Sequence, residues 1–96
     1  MTVTRINPEY NGIKAAYVTI GTVTTGSGGW VEIPARYLPV AKSKTIAGMV
    51  HHWSSASPAN AFSFVLGNLN YNNGGYILSE ANTTITGLSV VYLYRD

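Results

Sequence analysis

No stretch of this chain sustains the i, i+3, i+4, i+7 apolar stripe of a helix over ten residues, and few windows of that length escape Gly, Pro, Asn or a β-branched cluster. Strand signals recur instead. Ile13 to Val23 is rich in Tyr, Val, Ile and Thr, and it runs through Thr24-Thr25-Gly26-Ser27-Gly28-Gly29 into Trp30-Val31-Glu32-Ile33. That pair reads as a hairpin with a long loop. Pro34 and Pro39 bracket an irregular connection, because each proline lacks a donor and biases its predecessor away from helix. Further strands are expected over 45–53, 61–66, 75–80 and 88–95, with loops at 54–60 and 67–75 and a turn at 82–84. The expected fold class is all-β, a compact antiparallel β-sandwich or a jelly-roll-like domain.

Ninety-six residues make a single domain over 1–96, with 1–12 read as an N-terminal arm and 13–96 as the folded body. A chain this short buries only about 60–65% of its unfolded surface. Small domains often compensate with disulfides or by associating, and this one has no cysteine. Two segments point to association. In Leu88–Tyr94 and Thr45–Val50 both faces are largely apolar, where a half-exposed strand would alternate. A sandwich core on one face and a second copy on the other would account for both.

Charged residues are only 10% of the chain, so neutral hydroxyls and amides must supply its polar surface. Net charge is +2, but apart from the Arg36–Lys44 stretch the cations Arg5, Lys14, Arg36, Lys42, Lys44 and Arg95 are scattered. A nucleic-acid partner, which calls for clustered cations, is not expected. Apolar runs break well before the ~18 residues of a membrane-spanning helix, so no membrane insertion is expected. The N-terminus lacks the apolar core of a signal peptide.

Enzyme chemistry is poorly supported. The carboxylates are Glu9, Glu32, Glu80 and Asp96, and nothing in the sequence brings Glu32 and Glu80 together as a glycosidase pair. No nucleophile elbow surrounds a serine. His51-His52 lack a third metal ligand, and neighbours on a strand face opposite ways, so one is expected inward and one outward. No cofactor or metal is expected.

Binding is better supported. Aromatic faces stack on pyranose rings while amides and hydroxyls read their OH groups. Trp53, preceded by His51 and His52, opens a Ser- and Pro-rich loop, and Asn70, Tyr71 and Asn72 lie in the next long loop. Were both loops at one end of the sandwich, they would form a shallow saccharide site. Core packing competes as the role of Trp53, and turn formation is the favoured role of the asparagines. Trp30 is read first as a core residue and second as a platform. Arg36, Lys42 and Lys44 are read as solvated charges, with acidic or phosphorylated saccharides such as teichoic acids as the alternative.

The run Gly21–Pro39, with its glycine turn and Trp30-x-x-Ile33-Pro34-x-x-Tyr37-x-Pro39 segment, resembles the C-terminal head domains of bacteriophage tail-fibre and baseplate receptor-binding proteins. Asn72–Leu78 and the aromatic ending Tyr92-Leu93-Tyr94 are similar in style, and the resemblance spans about residues 13 to 96. It implies a β-rich head that trimerises at a tail tip among other tail or baseplate proteins. It further implies non-enzymatic adhesion to bacterial surface polysaccharide or teichoic acid at the outside of the host cell. The chain shows no triple-helical or coiled-coil stalk of the kind that usually precedes such heads. Two alternatives stand beside adhesion: a virion assembly protein that oligomerises without ligand, and a polysaccharide-degrading tip.

Overall fold

Asn11-Gly12 is a two-residue turn that sets the first hairpin. Both residues have positive φ, 51° and 76°, the twist a two-residue loop needs to match paired strands. The computed structural model describes residues 2–57, 63–66 and 72–95. Around this turn, β1 (Thr2–Tyr10) pairs antiparallel with β2 (Ile13–Thr24). Residues 1–12, read from sequence as an arm, thus hold an edge strand. Pro8 falls in the register break between Ile6 and Tyr10, where a missing N–H is tolerated.

The remaining strands are β3 (Trp30–Pro34), β4 (Thr45–His52), β5 (Ser55–Ser57), β6 (Ser63–Val65), β7 (Asn73–Leu78) and β8 (Thr84–Tyr94). They form two antiparallel sheets. One has the order β1-β2-β8-β4, with β5 also pairing β8, and the other has the order β3-β7-β6. The fold is all-β, an antiparallel sandwich. Short 3-10 turns at Ala35–Tyr37 and Lys42–Lys44 carry the chain from β3 to β4.

The expected hairpin of β2 with β3 does not form. β2 pairs β1 and β8, while β3 pairs β7, so the glycine-rich turn crosses between sheets. The turn from β7 to β8 crosses back at the same end, and the two crossings are bonded together. Thr25 N–H donates to Thr83 O at 2.9 Å, and Thr83 N–H donates to Thr25 Oγ1 at 2.8 Å. Thr25 Oγ1 donates in turn to Glu80 O at 2.6 Å. Both threonines are buried, so these bonds replace the water they lose. The segment 54–60, read as a loop, contains β5.

Strand β8 is the centre of the molecule. Ile85, Leu88, Val90, Tyr92 and Tyr94 alternate onto its buried face, with Gly87 taking up the extra residue between Ile85 and Leu88. Val18 of β2 joins them, and Ile33 and Ile77 close the core from the other sheet. Tyr92 ties the layers together: its hydroxyl donates to Gly74 O on β7 at 2.7 Å, and its ring meets the edge of Phe64 on β6. Burial pushes the Tyr92 phenol well above its ordinary pKa.

The opposite face of β8 is only partly covered. Cross-strand register sets Tyr17, Val91 and Met49 in one row and Ala15, Leu93 and Ala47 in the next. This is the mostly apolar second face that the sequence pattern predicts for β8 and β4. Its other end is a hydroxyl ladder, with Thr24 Oγ1 3.1 Å from Thr84 Oγ1 and Ser55 Oγ 2.6 Å from Thr86 Oγ1.

Candidate functional site

Both tryptophans lie at the surface, Trp30 50% and Trp53 49% exposed, but on different parts of the sandwich. Trp53 follows the end of β4. There the register slips between Val50 and His52, and strict alternation is lost. His51 and His52 are consequently both exposed, not one inward and one outward as expected. His51 stacks on Tyr17 across the sheet, with ring centroids 5.1 Å apart and planes 7° from parallel. Just beyond Trp53, Ser54 N–H donates to Thr86 O at 2.8 Å. Gly87 makes room for this crossing: its φ is 64°, and a Cβ there would collide with Ser54.

The asparagine-rich loop starts and ends elsewhere. Asn70 and Tyr71 lie outside the described residues, but Leu66 and Asn73 flank the loop and both bind Lys42. The Lys42 ammonium donates to Leu66 O at 2.9 Å, Asn73 O at 2.9 Å and Asn73 Oδ1 at 3.3 Å. Partial burial lowers its pKa below the ordinary lysine value. Lys42 opens the 3-10 turn that leads into β4, whereas Trp53 directly follows the strand. At about 3.3 Å per residue, eight residues of strand hold those ends roughly 25 Å apart. Asn72 is exposed beside Asn73 at the Lys42 end. The two loop bases are thus not brought together, and Lys42 is a staple, neither a solvated charge nor a ready saccharide contact.

Asn73 is buried and organises this end. Its Oδ1 accepts from Gly75 N–H at 3.0 Å, and its Nδ2 donates to Tyr76 Oη at 2.9 Å. Tyr76, which the sequence reading passed over, is thereby fixed at its hydroxyl.

Tyr76 and Trp30 share the outer face of the three-stranded sheet. Register pairs Trp30 with Leu78 and Ser63 in one row, and Glu32 with Tyr76 and Val65 in the next. Alternation sends Val31 and Ile33 inward, so Trp30 and Glu32 point out. Trp30 therefore lies at the surface and not in the core as first expected. Its indole meets the Tyr76 ring edge-on at 5.7 Å and 72°, a favoured aromatic geometry. Gly28 sits beneath, where a Cβ would come within 3.0 Å of the indole Nε1. The backbone is pinned as well, since Gly26 N–H donates to Trp30 O and Ser79 N–H donates to Gly29 O. Arg36 is exposed two residues past β3, and its guanidinium lies over the Tyr37 ring at 5.0 Å.

Chemically, the outer face of the three-stranded sheet offers a held aromatic surface, a phenol and a carboxylate. The Trp53 region offers an indole beside two exposed imidazoles. Among the described residues, no three His, Asp or Glu side chains group as a metal site. Compared with known protein families, curated proteins and solved structures, the chain matches none.

Proposed function

We propose that this chain is a non-catalytic adhesion module that binds bacterial surface saccharide and works as a homo-oligomer, a trimer at a phage tail tip. The observation that carries the reading is the exposed, braced indole of Trp30 on an all-β sandwich. A rigid aromatic face stacks on a sugar ring at little entropic cost, and flanking polar groups add direction. The resemblance of Gly21–Pro39 to receptor-binding heads supplies the phage setting. Single sugar sites bind weakly, and several copies on one particle raise avidity without new contacts. The placement of the glutamates supports a binding role over a degrading one. Glu32 lies in the Tyr76 row, while Glu80 lies beyond the Trp30–Leu78 row, so the platform separates them.

Self-association is favoured by the outer face of the five-stranded sheet. Met49 is 55% exposed there, and the rows around it carry no charge. A virion assembly protein without ligand would use the same face, so oligomerisation alone does not choose between the two readings. Glycan-array binding combined with light scattering does. The adhesion reading expects a stable oligomer that binds specific bacterial glycans; an oligomer with no glycan response replaces it with the assembly reading.

A further inference from the structure

We propose that the saccharide site is the outer face of the three-stranded sheet, and that it recognises an amino sugar through its protonated amine. This rests on the saccharide reading above. The face is a six-residue grid of Trp30, Leu78 and Ser63 beside Glu32, Tyr76 and Val65. Glu32 is the one charged residue among these six, and it is exposed. The chain carries a net charge of +2, so Glu32 gives this grid a charge opposite in sign to the molecule's net charge.

Two aromatic rings add to the attraction of Glu32 for a cation. The faces of indole and phenol carry negative quadrupole potential and attract a cation within about 6 Å of the ring centre. Trp30 and Tyr76 lie 5.7 Å apart, Trp30 two residues before Glu32 on β3 and Tyr76 directly opposite it on β7. A cation placed between the carboxylate and the rings would be attracted by all three. The Tyr76 oxygen already accepts from Asn73, so its own proton is left to donate to a sugar oxygen.

This arrangement selects among saccharides by charge. A neutral hexose engages the indole but leaves Glu32 unused. A phosphate-bearing chain such as teichoic acid brings an anion against Glu32, which costs affinity. A hexosamine with a free amine satisfies ring, carboxylate and phenol together. Its ring stacks on Trp30 while its ammonium pairs with Glu32.

The test titrates the full chain with a glucosamine oligomer, its N-acetylated counterpart and a glucose oligomer of equal length, followed by calorimetry and by the indole N–H signals in NMR. The glucosamine oligomer is expected to bind at least tenfold more tightly than either neutral oligomer and to move the Trp30 indole signal. Trp30→Ala is expected to abolish binding, Glu32→Gln to weaken it at least fivefold, and Trp53→Ala to change it less than twofold. Binding is expected to fall as pH rises through the titration of the sugar amine. Equal affinity for charged and neutral oligomers, with Glu32→Gln silent, overturns the amine assignment. Loss of binding in Trp53→Ala with Trp30→Ala silent overturns the site and leaves the saccharide reading standing. No response to these probes or to any bacterial glycan defeats both.

Discussion

The two outer faces of this sandwich differ in a way that composition alone hides. The face of the five-stranded sheet is uncharged over Tyr17, Val91, Met49, Ala15, Leu93 and Ala47. That of the three-stranded sheet carries Glu32 among its apolar and aromatic residues and holds Trp30 against Tyr76. An uncharged face loses little when another protein surface covers it, since no ion need be stripped of water. A face with one charge and a fixed indole has a direction, which suits a small polar ligand. The lesson is that apolar area marks a surface as available, and the polar groups within it decide for what.

The largest effect is expected from Met49→Glu. A carboxylate on the β4 side of the uncharged face would be buried by association, so the proposed oligomer is expected to fall to monomers in sedimentation. The side chain is more than half exposed, so folding stability is expected to change by no more than about 0.5 kcal/mol. Next is Trp30→Ala, expected to cost at least tenfold in glycan affinity while leaving the oligomer intact. If that variant dissociates, the faces are not separate.

Asn73→Ala acts behind the proposed binding face. It strips a partner from Tyr76 Oη, Gly75 N–H and Lys42 Nζ, and is expected to cost about 1–3 kcal/mol in denaturant unfolding. Glycan affinity is expected to drop with it, while subunit association is unchanged. A smaller loss, about 1–2 kcal/mol, is expected for Gly87→Ala, where a side chain would meet positive φ and Ser54. That change disturbs the Trp53 crossing and is expected to spare Trp30-dependent binding.

Tyr92→Phe is the mildest, about 1 kcal/mol near neutral pH for one buried hydrogen bond. Its effect on stability is expected to reverse in alkali. The folded state raises the phenol's pKa above the ordinary 10.0, so between the two values the folded protein holds more protons than the unfolded one. Stability from this group is full below pH 10 and is lost as pH rises beyond it. Alkaline unfolding curves are expected to show that loss in the native chain and not in Tyr92→Phe.

Much of this fold was readable from local pattern, because a strand writes its alternation and its turn residues into itself. The span of β2 and the start of β3 follow from such signals. Even the Asn11-Gly12 turn announces the β1–β2 hairpin, although Arg5, Pro8 and Glu9 break the apolar pattern of β1 enough for the segment to read as an arm. Pairing partners were not legible. The residues between β2 and β3 have the composition of a hairpin loop, and only contacts with a turn some 55 residues later show that they cross between sheets.

The site was legible in one respect that the sequence reading missed. In Trp30-Val31-Glu32-Ile33, a charged Glu32 marks the outer face, and alternation places Trp30 on it. His51 and His52 were harder, since a register slip leaves no signature in two identical residues. Tyr76 gains its place only from its register with Glu32 and its bond to Asn73, neither of which is local information.

Sedimentation and glycan titration of Met49→Glu and Trp30→Ala, run side by side, test the separation of the two faces most directly. The expected result is a monomer whose single-site affinity equals that of the native chain, and an oligomer that no longer binds. A Met49→Glu chain that loses its single-site affinity along with its partners, or a Trp30→Ala chain that falls apart, would contradict it.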